Sequence, residues 1–282
     1  HLDAAVERAA IDTVIDVLGL CVAAKDMDYT RSTMAAFDEA GDCTVIAQGK
    51  RLSAGAAAAI NGTAAHGEDF DNTFEGCPVH SGAVVVPAAL AIAEQMKTDG
   101  PRTVLAIAAG IEVMCRLGLI ADKSVHKAGF HPTAVLGTFA ATISAAIVKG
   151  LGAPAIADGL GVAGSLASGI IEYLADGSST KRLHAGWAAQ SGLRAAALGG
   201  AGFSGPGTVF EGTHGFFSAF APSIKPDFSH LLDDLGRKWV GSQLAFKPYA
   251  CGTMVQPYID CAIKLRKQGV KAEEIDHIVC AV

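Results

Sequence analysis

The chain has 282 residues, half of them apolar and 18% charged, with a formal net charge of -6. That length supports one large core, or one domain and part of a second. No Lys/Arg-rich block is present, so the electrostatic footprint that nucleic acid needs is missing and such a partner is excluded.

Helical periodicity dominates from the start. Val6, Ala10, Thr13, Val14, Val17 and Leu18 recur every three or four residues, the pattern of a helix with one apolar stripe. Gly82 to Met96 reads as a second long helix, with Pro87 either near its first turn or kinking it. Thr103 to Ala121 follows behind DGPRT and carries Glu112 and Arg116 four residues apart, a stabilising pair on a solvent-facing side. Further helices are predicted over Thr133–Lys149, Ala153–Leu174 and His184–Gly199. Residues 132–148 are uncharged and just long enough for a membrane span. Their Ala, Thr, Ser and Gly content and the lack of flanking aromatics predict a buried core helix instead, with no membrane partner.

The connector AGFSGPGTVFEGTHGFFSAFAPSIKP (201–226) is too long for an ordinary loop and is expected to be partly helical. Composition shifts near Lys247, which places a domain boundary there: 1–243 helical, 244–282 the start of a second unit. The alternating IDHIVCAV predicts a strand over Ile275–Val282. A chain that opens HLDAAVERAA and stops inside such a pattern reads as part of a longer protein. Seven scattered cysteines (Cys21, Cys43, Cys77, Cys115, Cys251, Cys261, Cys280) with no C-x-x-C read as reduced thiols of a cytoplasmic protein. They give no support to a zinc site.

GLGVAG (159–164) and GAGFSG (200–205) match G-x-G-x-x-G. Neither follows a strand and opens a helix, as a pyrophosphate at a helix N-terminus requires, so close packing and a helix stop explain them better.

Polar residues gather in few places. In NGTAAHGEDFDNTF (61–74), His66, Asp69 and Thr73 fall at i, i+3, i+7, one face if the stretch is helical, and could form a proton-transfer surface. The alternative makes Asn61, Asp71 and Thr73 caps and pairs Asp69 with a distant Arg. A calcium loop fails, because Phe74 replaces the required Gly and His80 the bidentate Glu. His80 opens the next helix, where the positive dipole favours a neutral ring. His126, Lys127 and His131 precede the helix at Pro132, and Lys181, Arg182 and His184 precede the next Ala-rich one, positions suited to carboxylates. Lys247, Tyr249 and Cys251 share a Pro-stiffened turn before Gln256–Lys267. Cys251 as nucleophile would need a paired base.

NGTAAHGEDFDNT, VHSGAVVVPAALAIAE, GFHPTAVLGTFAAT, STKRLHAGWAAQSG and FKPYACGTMVQPYIDCA resemble, in order, the successive signature blocks of the MmgE/PrpD family. That family includes 2-methylcitrate dehydratase, cis-aconitate decarboxylase and iminodisuccinate epimerase. The resemblance implies a mostly α fold: a large all-helical domain, then a smaller α+β lid domain, usually in a homodimer. It implies no cofactor, no metal, and proton transfer at a carbon next to a carboxylate. By block, Asp69, Thr73, His80, His131, Lys181 and Lys247 fall on the family's polar positions; Asp69, His80, His131, Lys181 and Lys247 are read as catalytic, and Thr73, with His66, Arg182 and Tyr249 from the polar clusters, as substrate-binding. One departure stands out: many members carry a histidine near position 256, where this chain reads ACGTMVQ.

The sequence thus predicts a cofactor-independent lyase on a small di- or tricarboxylate, dehydrating a 2-hydroxy acid in the manner of a 2-methylcitrate dehydratase. An epimerase, or a non-catalytic carboxylate-binding protein on the same fold, is the alternative.

Overall fold

The computed structural model describes residues 2–280. Helix α1 (Ala4–Ala23) starts at Asp3, whose carboxylate accepts from Ala5 N, and buries Val6, Ala10, Thr13, Val17, Leu20 and Cys21 as one stripe. After α2 (Asp28–Ala36) comes an antiparallel hairpin of β1 (Ala40–Val45) and β2 (Lys50–Leu52), turned through Ala47 and Gly49 at positive φ. The helices α3 (Ala54–His66), α4 (Ser81–Met96), α5 (Gly100–Ala121), α7 (Pro132–Lys149), α8 (Ala153–Leu166) and α10 (Thr180–Gly200) form the body. Short helices α6 (Ser124–Lys127) and α9 (Tyr173–Asp176) lie between them.

Alanine and glycine decide how this body packs. All of α3 except Gly55 is buried, and α10 lies against α3, α7, α8 and α4. Where α3 meets α10, a Cβ on Gly62 would stand 2.7 Å from the Gly186 Cα, and one on Gly186 would overlap the Ala59 carbonyl oxygen. The two backbones therefore touch, an approach that only glycine at both positions permits. Helices α5 and α7 are long and apolar enough to cross a membrane, but most of each is buried inside the fold, as predicted for 132–148.

Several expectations change. Pro87 sits within α4 without ending it. Glu112 and Arg116 do pair, at 2.5 Å, but both are buried rather than solvent-facing. Arg116 donates to the carbonyls of His230, Leu231, Asp233 and Lys238, and Glu112 accepts from Gly241 N, so the pair pins 230–241 onto α5. The helix predicted over 153–174 ends at Leu166. Beyond it, Gly169 O accepts from His131 N and Ile171 N donates to Gly129 O, and this pairing competes with helix. The 201–226 connector holds one short helix, α11 (Phe216–Phe220), and α12 (Ser229–Leu232) follows it. Residues 275–280 form no strand, because no neighbouring strand is there to pair with among the described residues; 281–282 lie outside them.

Helix α3 stops at His66, so residues 61–73 are not one helical face. Asp69 takes a left-handed φ of 50°, and Thr73–Phe74 form β3, paired antiparallel with β4 (Leu244–Ala245). The last helix, α13 (Gln256–Lys267), follows the turn after Lys247. Each polar cluster thus sends at least one residue to one end of the bundle: the C-terminus of α3, the N-termini of α4, α7 and α10, and the strand pair.

Gly186→Ala is expected to cost at least about 2 kcal/mol in urea unfolding, because the backbone of α3 cannot yield to a methyl group. Gly19→Ala, in α1 with nothing within 4 Å of its Cβ position, should be neutral or stabilising by up to about 1 kcal/mol. Equal stability of Gly186→Ala and the parent would show that the helices are not in backbone contact.

Candidate active site

The loop after α3 carries two carboxylates with different surroundings. Asp69 is bridged by two ammonium groups: Lys181 Nζ lies 2.8 Å from Oδ2 and Lys247 Nζ 2.9 Å from Oδ1. Lys247 also donates to the Asp69 carbonyl at 2.7 Å. It arrives there because the β3–β4 pairing, Thr73 opposite Ala245, sets the path of the chain two residues earlier. Asp71 is fully buried. Its Oδ2 accepts from His66 Nδ1 at 2.7 Å, while Oδ1 lies 3.5 Å from His80 Nδ1 and 3.9 Å from Lys247 Nζ. Asn72 anchors the loop: its N–H donates to Asp16 on α1 at 3.3 Å, and its Oδ1 accepts from Gly82 N on α4 at 3.1 Å.

His80 stands just before α4. Its N–H donates to Thr133 Oγ1 at 3.1 Å and its Nδ1 to the Asn72 carbonyl at 3.0 Å. A carbonyl can only accept, so Nδ1 bears the hydrogen and the neutral ring keeps its lone pair at Nε2, 4.0 Å from Asp69 Oδ1. His131, just before α7, lies with Nδ1 3.1 Å from His184 Nδ1 on α10. One of those nitrogens donates and the other accepts, so the two rings hold opposite tautomers. Ring centroids run 5.1 Å from His66 to His80, 5.5 Å from His66 to His131 and 5.2 Å from His131 to His184, with Tyr173 at 5.8 Å from His184.

Charge is sharply divided here. Burial, with His66 and Lys247 nearby, holds His80 down at about 4 against the pull of Asp71. Burial and the neighbouring His66, His184 and His80 keep His131 well below the ordinary histidine range, and His184 falls to about 4 for similar reasons. Asp69 is the reverse: burial would raise it, but Lys181 and Lys247 outweigh burial and hold it well below the usual carboxylate range. Near neutral pH His80, His131 and His184 are therefore neutral imidazoles beside the ionised Asp69, and His131 is not the carboxylate-holding cation that the sequence suggested.

The structure brings Asp69, His80, His131, Lys181 and Lys247 together. His66 is fully enclosed, its Nδ1 committed to Asp71, so it has no face for a substrate. Arg182 Nε donates to the Gly67 carbonyl and its guanidinium covers the Tyr29 ring, steadying the loop from outside. Thr73 lies in β3 with no side-chain hydrogen bond among the described residues, and the Tyr249 hydroxyl is taken by Asp260 on α13. His126 is exposed on α6, and the Cys251 thiol meets the Gln256 amide rather than a base. Tyr173 and Asp16 were not selected from sequence, Asp71 was named only as a cap, and His184 only as one of a basic group suited to carboxylates. His184 adjoins Lys181 in a quoted block, but Asp16 is 56 positions from its partner and nothing local marks it. His66, Asp71 and His80 form a donor set that could hold a metal ion. A lysine ammonium 3.9 Å from Asp71 and the commitment of His80 Nδ1 to a carbonyl oppose that use, and no metal is assigned.

Acidification should weaken the fold in a defined window. The folded state binds fewer protons than the unfolded chain between about 6.5 and about 4 at His80 and His184. Stability is thus full above that window and is lost as pH falls through it. Asp16, raised to about 6 by burial, acts in the opposite sense but is one group against several. Asp69 contributes only at lower pH, below the unfolded carboxylate value. The urea midpoint should fall between about pH 7 and about pH 4.5, and fall less in His184→Gln. A flat midpoint would show that the imidazoles are not buried neutral.

Comparison with known proteins places this geometry. Residues 1–229 match the MmgE/PrpD N-terminal domain. Similar curated proteins are the cis-aconitate decarboxylases of Aspergillus terreus (strain NIH 2624 / FGSC A1156), 30% identical over 85% of this chain and 51% of that protein, and of Homo sapiens, 32% over 78% and 46%. The Mus musculus cis-aconitate decarboxylase is 33% identical over 81% of this chain and 48% of its own length. The chain spans about half the length of the curated relatives it matches. By the extent of these matches, and by the blocks that meet at one end of its helical body, the chain belongs to the MmgE/PrpD family.

Proposed function

We propose that this protein is a cofactor-independent lyase that acts on a small di- or tricarboxylate by proton transfer at a carbon next to a carboxylate. The observation that carries the reading is the meeting of a lone-pair-bearing His80 Nε2, an ionised Asp69 and two lysine ammoniums within about one side chain's reach. Lys181 and Lys247 would hold substrate carboxylates and stabilise the negative charge that spreads onto a carboxylate when the adjacent carbon becomes electron-rich. Preorganised cations of this kind supply the largest share of many rate enhancements. His80 Nε2 would accept or return the carbon-bound proton, and the His131–His184 pair would complete the polar wall. Residues 244–282 would begin the lid, and the homodimer and cytoplasmic setting inferred from the sequence belong to the same proposal.

Two finer reactions share that step. In decarboxylation the carbon–carboxylate bond breaks, carbon dioxide leaves, and the electron pair stays on carbon until His80 Nε2, having taken a proton from solution, delivers it there. The names of the related proteins favour this route. In dehydration His80 takes the α-proton, and the electron pair expels the hydroxyl from the adjacent carbon, which leaves as water on taking a proton from the Lys181 or Lys247 ammonium. Gln256 departs from the pattern behind both routes: its amide donates to the carbonyls of Tyr249 and Cys251 and accepts from Tyr249 N, so it braces the turn where many members carry a histidine.

The test is NMR in deuterated water with cis-aconitate, 2-methylcitrate, citrate and an iminodisuccinate-type dicarboxylate. Label at the α-carbon is expected with at least one, with loss of carbon dioxide or of water naming the reaction; exchange with no loss would indicate an epimerase. Lys247→Met and His80→Gln should each slow that exchange by at least about a hundredfold. Binding of these acids by a folded protein with no exchange or turnover would contradict the lyase reading.

A further inference from the structure

Asp71 is a costly residue to bury. It is fully enclosed, and although burial would raise its carboxyl, the hydrogen bond from His66 and the nearby Lys247 help hold it below its ordinary range as an anion. A carboxylate kept only for architecture is usually saturated by backbone N–H groups, since each buried oxygen left without a donor destabilises the fold. Asp71 differs. Its only hydrogen-bond donor among the described residues is the His66 imidazole at Oδ2, and Oδ1 has none. That free oxygen lies 3.5 Å from His80 Nδ1, the nitrogen whose hydrogen already points to the Asn72 carbonyl.

The groups facing His80 are its neighbours from every side: Asp69 and Asp71 from the loop, His66 from α3, Thr133 and His131 from α7, and Lys247 after β4. Of these, His66 and His131 add no favourable charge and Lys247 opposes a second cation. Asp69 is already shared between two lysines. Asp71 is the one anion whose oxygen is uncommitted.

We propose that Asp71 is a positioning residue of this site: with the Asn72 carbonyl accepting the His80 Nδ1 hydrogen and leaving Nε2 as the proton acceptor, the uncommitted Asp71 Oδ1 beside that edge compensates the imidazolium formed when Nε2 takes a proton. The inference rests on the lyase reading for its consequence in turnover, but not for its structural content. In a proton-transfer step the hydrogen leaves the substrate carbon for His80 Nε2, the carbon keeps the electron pair, and the new positive charge lies beside Asp71 Oδ1. His66 then locks the carboxylate from the other side through its Nδ1–H.

Two measurements test this. In the wild-type protein, ¹⁵N NMR of the imidazoles, with His80 assigned by the His80→Gln variant, should show His80 hydrogen-bearing at Nδ1 and unprotonated at Nε2. A dominant Nε2–H tautomer would overturn the proposal, whatever the enzyme does. In Asp71→Asn, turnover of whichever carboxylate the wild type accepts should drop at least about tenfold in kcat with KM changed less than about threefold. The acid limb of its pH profile should move to lower pH, because removing an anion lowers the proton affinity of His80. A drop in kcat with the pH profile and the His80 tautomer both unchanged would make Asp71 merely structural and contradict the proposal. Absence of any wild-type turnover would defeat the lyase reading alone; the role of Asp71 is then decided by the pH titration of the His80 ¹⁵N signals, which should move to lower pH in Asp71→Asn, an unmoved titration contradicting the proposal.

Discussion

The bridge Lys181–Asp69–Lys247 is the interaction on which the rest of the site depends. One carboxylate, in a left-handed loop conformation, takes an ammonium from the first turn of α10 and another from the segment behind β4. Those partners lie 112 and 178 positions away along the chain. Surface ion pairs contribute little, but Lys247 is almost wholly enclosed, and removing one partner of an enclosed pair leaves an uncompensated charge. Asp69 thus fixes the loop that carries Asp71 and Asn72, and through Asn72 the orientation of His80.

Small residues make that convergence possible. Because α3 and α10 touch backbone to backbone at Gly62 and Gly186, the end of α3 and the start of α10 bring His66 and Lys181 to one place. His80, His131 and His184 are buried enough to stay neutral, which leaves lone pairs available beside the ionised Asp69 and its lysine partners. A site of this kind holds anions with ammonium groups and moves protons with imidazoles, a division of labour that suits carbon-acid chemistry on a carboxylate.

Much of this could be read from the chain itself, for physical reasons. Asp69, His80, His131, Lys181 and Lys247 are polar residues at helix starts or turns in an otherwise apolar sequence, and the blocks around them resemble one family in order. The helical body was equally plain, since periodicity over α1, α4, α5 and α7 is strong. What escaped depended on distance. A helical face through His66, Asp69 and Thr73 is one of two readings of their spacing, but the helix stops at His66 and the loop places each residue differently. Glu112 and Arg116 have the spacing of a surface pair, and only the packing of 230–241 shows why they are buried. Asp71 looked like a cap because its partners, His66 and His80, lie on two separate helices.

The most direct measurement is the ionisation of the Asp69 side chain followed by carboxyl ¹³C NMR as pH is lowered. Held between Lys181 and Lys247, it should remain ionised from neutrality to below about pH 3, and Lys181→Met should bring its titration upward toward the ordinary range. Titration of Asp69 near about 3.9 in the wild-type protein, unchanged in Lys181→Met, would mean that the bridge does not exist in solution and that the site around it is not assembled as described.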